Sequence, residues 1–338
     1  MISVIIPVFN DEKNLAACLG SIFACDYGKP FEVVIYDDCS TDGSAKVAEG
    51  FGCRVVKSDV NRGPGVGRNL AAKEAKGDVF AFTDSDCVVP KDYLSVIDDI
   101  FSDPKILAAA GKYSVSLNPQ FVSKYRMYES SFHIFRERVF VNHSSSNNLL
   151  CCKDTFFKSG GFGDRRIAED MVFGGNLYKI GVDILLVPEL TVSHFCKTKI
   201  SEYLKQQYTW LKNILEVNIK HPETLKFKWP TKRGPLIYQL AVQMIMLPCF
   251  FLLPFKPVPS VIALAAGVIL LCLMNLKFLL YVLKGEKYSP AAFIKTFLIT
   301  FMRNYAWIAG AIAGVGSIKN GIIFFELALS KNKQEAGA

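Results

Sequence analysis

Two carboxylates one residue apart, Asp84 and Asp86, follow the apolar run Val79–Thr83. A short apolar run of this kind fits a buried parallel strand. Its carboxyl end is where open α/β sheets place their ligands. Side chains one residue apart that leave a strand for a loop can converge on a hard divalent cation, and such a cation can hold a diphosphate. The same Asp84-Ser85-Asp86 can equally form a plain Asp/Ser turn, so the rest of the chain has to decide between the two.

Three further clusters fall at strand ends or helix starts. Val4-Ile-Ile-Pro-Val-Phe-Asn10 closes a first strand with a Pro-bounded turn. Tyr36-Asp37-Asp38-Cys39-Ser40-Thr41-Asp42-Gly43-Ser44 closes a second. Its carboxylates can accept from a base N–H and from ribose hydroxyls, while Ser40 and Asp42 can cap the helix that follows. Asn61-Arg-Gly-Pro-Gly-Val-Gly-Arg68-Asn69 is a glycine-containing loop before a helix. Its backbone donors and Arg68 can meet phosphate or ribose oxygens, although Gly-Pro-Gly is also ordinary turn chemistry.

The elements that must position these residues alternate. Ser3–Pro7, Phe31–Tyr36, Arg54–Lys57 and Val79–Thr83 are expected as strands, and residues 12–25, 41–50 and 64–76 as helices between them. This rhythm predicts an α/β domain with a mostly parallel, Rossmann-like central sheet and right-handed crossovers. Further on, residues 120–138 and 168–180 are expected as helices and Asp183–Val187 as a strand. Tyr125, Tyr128, Phe132 and Phe135 make a helical stripe expected in the core.

With 338 residues the chain can hold one large or two modest domains. Hydrophobic residues make up 51% and the mean hydropathy is +0.24, but the excess is concentrated late in the chain. Residues 199–219 are expected as an amphipathic helix lying on a bilayer. Three segments, 236–255, 258–282 and 291–315, reach spanning length. The third carries Lys295 and Arg303 and is the least apolar of them. The net charge of +8 does not point to nucleic acid, because Lys220, Lys226, Lys228, Lys232 and Arg233 gather just before the first apolar segment. Basic residues there suit anionic lipid headgroups on the cytosolic side. The ten cysteines include no CxxC pair and are expected as reduced thiols. The N-terminus opens on a strand, so no signal peptide is expected.

Taken in order, VIIPVFN, DDCSTDGS, NRGPGVGRN, DSD, Gly160-Gly-Phe162, Glu169-Asp170 and Gln206-Gln-Tyr-Thr-Trp210 make the chain resemble a family 2 inverting glycosyltransferase of GT-A fold. It is similar to the membrane-associated bacterial enzymes that build exopolysaccharide and lipid-linked glycans. The resemblance implies that Asp38 and the Pro7–Asn10 turn hold a nucleoside, with Phe9 lining the base pocket. It implies that Asp84 contacts the nucleotide and that Asp86 binds Mg2+ or Mn2+ on the diphosphate. Asp170 matches the catalytic base that takes a proton from the acceptor hydroxyl, with Glu169 beside it, although two acids at a helix start also suit the helix dipole. His194 stands where a histidine completes the metal site in some GT-A enzymes. Gln206 and Trp210 would line the acceptor mouth.

Thr209 replaces the arginine of the QxxRW pattern found in processive synthases, which points to addition of a single sugar. The expected organisation is a catalytic domain over 1–198, an amphipathic helix and basic linker over 199–233, transmembrane helices over 234–316 and a tail over 317–338. The expected activity is transfer from a nucleotide-diphosphate sugar, a UDP-sugar first, to a lipid-linked saccharide at the cytosolic face of the inner membrane, with no nucleic-acid partner. Polyprenyl phosphate as acceptor, or an inactive nucleotide-sugar-binding scaffold, are the alternatives.

Overall fold

Successive residues of the strands point into two different cores, and that alternation sets the layering. The computed structural model describes residues 1–132, 137–221, 224 and 234–335, with side chains for all of these except 234–237 and 317–335. Strand β1 (Ile2–Val8) sends Val4, Ile6 and Val8 to one core and Ile5 to the other. Strand β4 (Val79–Thr83) sends Ala81 to the first and Phe80 and Phe82 to the second. Period-2 alternation with both faces apolar is what a sheet covered by helices on both sides requires.

The covering helices come from the segments between strands. On the first face lie α1 (Glu12–Phe23), with Leu15, Cys18, Leu19 and Ile22 inward, and α4 (Tyr93–Ile100), with Tyr93, Leu94, Ile97 and Ile100 inward. On the second lie α3 (Pro64–Glu74), α6 (Lys153–Ser159) and α7 (Glu169–Lys179), contributing Ala71, Ala72, Phe156, Phe173 and Leu177. The short α2 (Ser44–Gly50) starts three residues later than expected, because the Asp42 carboxylate accepts from the Ser44 N–H and holds residues 41–43 as a turn.

Strands β3 (Arg54–Lys57), β2 (Phe31–Asp37), β1 and β4 are parallel neighbours in that order. Beyond β4 the sheet is mixed, which corrects the expectation of a mostly parallel one. Strand β8 (Asn148–Cys152) runs antiparallel to β4, β6 (Ala108–Ser116) antiparallel to β8, and β9 (Ile184–His194) parallel to β6. The two-residue β5 (Cys87–Val88) and β7 (Val139–Val141) both pair antiparallel with β9. Helix α5 (Phe121–Phe132) buries Tyr125 as expected, while Phe135 lies outside the described residues. All ten cysteines are free.

Among the described residues, 1–198 and Thr224 form one unit and residues 199–221 and 234–335 a second. The second is helical. Helix α8 (Ile200–Lys220) packs along α12 (Pro290–Glu335), which takes in both the third apolar segment and the polar tail. Gly310 and Gly314 make that approach possible: a Cβ on Gly310 would sit 2.4 Å from the Tyr208 carbonyl oxygen. The Trp307 indole donates to Gln207 Oε1 at 2.9 Å across the same contact. Part of the α8 stripe expected to face lipid is therefore covered by protein. Helix α9 (Gly234–Leu252) corresponds to the first apolar segment. The second divides into α10 (Pro257–Met274) and α11 (Leu276–Gly285) at Asn275, whose side-chain amide donates to the Leu271 carbonyl and competes with the backbone ladder. Among the described residues, two stretches, Pro257–Met274 and Pro290–Gly316, are long and apolar enough to cross a membrane, and Tyr238–Leu252 is a shorter apolar helix. The basic residues Lys226, Lys228, Lys232 and Arg233 lie outside the described residues.

Candidate active site

The parallel register brings the carboxyl ends of β1, β2 and β4 to one rim, with Val8 beside Asp37 and Ile5 beside Phe82. Loops leaving this rim carry Phe9, Asn10, Asp38, Asp84 and Asp86 of the expected site. Phe9 is 50% exposed at the end of β1, and Pro7 is half-buried. Asn10 has φ 51° and accepts at Oδ1 from the Thr41 N–H at 2.7 Å, which clips the first loop to the second.

Asp38 has a bracing task in the fold. It is buried, and its two carboxylate oxygens accept from the backbone N–H groups of Arg62 and Gly63 at 2.6 and 2.8 Å. Asp38 thus braces the glycine loop, and two of the loop donors expected at phosphate are taken by it. The glycines serve close approach. A Cβ on Gly67 would sit 2.4 Å from the Tyr36 ring, and one on Gly65 would sit 2.3 Å from the Gly163 carbonyl oxygen and 2.9 Å from Glu169 Cβ. The loop is therefore shaped to let residues 163–169 lie against the start of α3.

Arg68 is likewise held by protein groups. Its side chain is 2% exposed; Nη2 donates to Asp84 Oδ1 at 2.5 Å and Nη1 to Glu169 Oε1 at 2.8 Å. The Phe162 ring lies 5.4 Å from its guanidinium carbon. Arg68 joins the first carboxylate of Asp84-Ser85-Asp86 to the turn that opens α7.

The three residues of that motif point to three partners. Asp84 meets Arg68; the Ser85 hydroxyl donates to Asp11 Oδ2 at 2.6 Å; Asp86 Oδ1 lies 3.2 Å from His194 Nε2. The last pairing follows from local structure, because β5 sets Cys87 opposite His194 on β9 and the Phe195 N–H donates to the Asp86 carbonyl. Burial works against protonation of His194, but hydrogen bonds to Asp86 and Cys196 push its pKa up to about 10.

Asp170 opens α7 behind Ala168, which sits in the left-handed region at φ 64°. A non-glycine residue there stores strain of about 1 kcal/mol or more, which fixes how the acidic pair enters the helix. Glu169 is spent on Arg68 and on the Ser146 hydroxyl at 3.3 Å. Asp170 Oδ1 accepts from the Met171 N–H at 2.8 Å. Burial pushes both carboxyls above the usual range; Asp170 adds to the rise at Glu169, and Arg68 opposes it at both. Once ionised, a half-buried carboxylate of raised pKa is a stronger proton acceptor than an ordinary one.

Asp86, Cys87 and His194 bring ligand atoms within 4.8 Å of one another. Burial, with Asp84 and Asp86 nearby, raises the Cys87 thiol well above its ordinary range, and its sulfur is a soft donor poorly matched to Mn2+ or Mg2+. The carboxylate of Asp86 and the imidazole of His194 remain, a hard oxygen and a borderline nitrogen that fit Mn2+ or Mg2+. Gln206 and Trp210 belong to α8 in the second unit, where neighbouring Gln207 is the buried glutamine. Asp11, Ser85 and Ser146 were missed in the sequence. Ser85 was visible inside the motif, whereas Asp11 and Ser146 carry no spacing signal.

A parallel rim of acidic loops, with a mixed sheet beyond it, defines a GT-A fold. Residues 3–167 match the family model "Glycosyl transferase family 2", and this part of the chain belongs to that family. Among curated relatives, poly(ribitol-phosphate) beta-N-acetylglucosaminyltransferase TarS of Staphylococcus aureus strain MW2 is 28% identical over 229 residues, covering 64% of this chain and 39% of TarS. Glycosyltransferase AglE of Haloferax volcanii is 33% identical over 92 residues, covering 25% of this chain and 30% of AglE. The chain thus spans well under half the length of either relative. Among solved structures, the mannosyltransferase PcManGT of Pyrobaculum calidifontis with GDP-Man and Mn2+ aligns at TM-score 0.63 and 17% identity, covering 93% of this chain and 86% of its own. S. aureus TarS 1-349 with UDP-GlcNAc aligns at TM-score 0.50 and 18% identity, over 95% and 92%.

Proposed function

We propose that the chain is a membrane-associated inverting glycosyltransferase that moves one sugar from a nucleotide-diphosphate sugar to a lipid-linked saccharide. The observation that carries this reading is the tie from Asp84 through Arg68 to Glu169, which fixes Asp170 relative to the metal-binding loop. In the reaction, exposed Phe9 stacks on the base, and Asp86 with His194 would hold a divalent cation. Asp170 takes the proton from the acceptor hydroxyl as that oxygen displaces the nucleoside diphosphate. Direct displacement needs one such base and inverts the anomeric carbon. Bound at Asp86 and His194, a divalent cation supplies Lewis-acid neutralisation of the leaving diphosphate.

Support for a nucleotide sugar comes from UDP-GlcNAc and GDP-Man in the neighbouring structures. Support for a cell-envelope polymer pathway comes from the poly(ribitol-phosphate) transferases among the relatives. The apolar stretches Pro257–Met274 and Pro290–Gly316 favour an acceptor carried by the bilayer, with the first unit in the cytosol. A base at Asp170 favours a saccharide hydroxyl over polyprenyl phosphate, because a phosphate oxygen is already ionised.

The test uses purified full-length protein, Mn2+, a panel of UDP- and GDP-sugars and a membrane lipid extract. The expected result is release of nucleoside diphosphate that depends on the lipid extract and is lost in Asp170→Asn. Release with no donor in the panel, or full release by Asp170→Asn, would contradict the proposal.

A further inference from the structure

Both ring nitrogens of His194 have a partner. Nε2 lies 3.2 Å from Asp86 Oδ1, and Nδ1 lies 3.1 Å from Cys196 Sγ. The Tyr113 ring meets the imidazole edge-on, with centroids 4.8 Å apart, and limits how the ring can rotate. Cys196 is buried at 5% exposure, two residues past His194 at the end of β9. Its sulfur is thus held against one nitrogen while the other faces the Asp86 carboxylate.

A cation can bind Nε2 only by displacing the proton there, which leaves a neutral imidazole with its one proton on the other nitrogen. For Nε2 to share a cation with Asp86, the proton must sit on Nδ1, where it needs an acceptor. Cys196 Sγ occupies that position, and a thiol sulfur accepts weakly through its lone pairs. Partners of this kind behind a ligating histidine fix its tautomer and ring orientation.

We propose that Cys196 is a positioning residue: it accepts the Nδ1 proton of His194 and so leaves Nε2 to a divalent cation held jointly with Asp86. The inference rests on reading Asp86 and His194 as metal ligands. It assigns a role to a cysteine that makes no disulfide and, among the described residues, belongs to no zinc-type ligand set.

The experiment titrates Mn2+ into the full-length chain, alone and with UDP or GDP, and follows free Mn2+ by its electron paramagnetic resonance signal. Cys196→Ala should weaken Mn2+ binding by about tenfold or more, the effect expected for loss of an outer-shell partner. Cys196→Ser, whose hydroxyl can accept the same proton, should stay within about threefold of the parent. In Mg2+-loaded protein, 15N NMR of labelled histidine should show His194 protonated at Nδ1, and Cys196→Ala should lose that signature. Unchanged Mn2+ binding by Cys196→Ala, while Asp86→Asn and His194→Ala bind poorly, would overturn the role of Cys196 alone. A loss in Cys196→Ala that Cys196→Ser fails to restore would also overturn it, because packing would then be the cause. Parent-like binding by Asp86→Asn and His194→Ala would overturn the metal reading itself, and this inference with it.

Discussion

Arg68 and Glu169 lie 101 residues apart in the sequence, yet the guanidinium Nη1 donates to the carboxylate Oε1 at 2.8 Å with both side chains buried. The other arm of Arg68 holds Asp84. One cation therefore spans the end of β4 and the start of α7, the two places that carry the motif carboxylates and the candidate base.

Removing that cation should be costly to the fold. Arg68→Met leaves the buried Glu169 carboxylate without its partner, a change worth about 3–5 kcal/mol in comparable sites. Asp84 is one-third exposed, so water takes up part of its loss and the lower end of that range is expected. Chemical denaturation followed by circular dichroism should show the shift. Arg68→Lys should recover only part of it, because an ammonium cannot reach two carboxylates with a rigid fork.

The raised carboxyls set a pH dependence. Asp170 and Glu169 have folded pKa values above their ordinary ones, burial being the main cause. Asp170 is neutral below its pKa and can accept a proton only above it, so the rate should climb with pH over a window above the ordinary carboxyl value of about 4. Stability should move the other way. The folded state holds these protons more tightly than the unfolded chain, so stability falls as pH rises through the same window. Asp170→Asn should reduce that fall and lower the rate by about 10²–10⁴-fold. Rate profiles and pH-dependent denaturation check the two signs independently.

Gly65 gives a steric prediction. A Cβ there would lie 2.3 Å from the Gly163 carbonyl oxygen, a backbone atom, and 2.9 Å from Glu169 Cβ. Gly65→Ala should therefore push the 163–169 segment away from α3 and lower turnover, with a smaller change in Mn2+ affinity, since Asp86 and His194 stand on other elements. Equal losses in both would contradict this account of the loop.

Metal removal should act through a different pair. Chelation with EDTA should abolish turnover, and Mn2+ or Mg2+ should restore it. Asp86→Asn and His194→Ala should raise the Mn2+ concentration needed for half-restoration by about tenfold or more. Turnover unaffected by chelation would contradict the assignment of these ligands.

The parallel half of the sheet was legible because its strands are Val- and Ile-rich runs bounded by turn residues, as in Val4-Ile-Ile and Val33-Val-Ile. Of the mixed half only the start of β9 was, through the expected strand Asp183–Val187. Strand β6 opens Ala108-Ala-Ala-Gly111 and β8 reads Asn148-Leu-Leu-Cys-Cys152, sequences without β-branched residues whose strand state is set by pairing with neighbours. In the site, Asp84, Asp86 and Asp170 stood out by motif. The inward turn of Arg68 and Asp38 did not, because sequence gives the residue type but not whether its charge meets a ligand or another loop. Asp11 and Ser146 act through contacts across the fold, with Ser85 and Glu169, that no local spacing encodes.

The most direct measurement compares parent and Asp170→Asn protein in a single assay. Each is given Mn2+, a labelled nucleotide sugar and the lipid extract, and both donor binding and sugar transfer are read. The account predicts equal donor binding and a loss of transfer of about 10²-fold or more in the variant. Parent-level transfer by Asp170→Asn would contradict it.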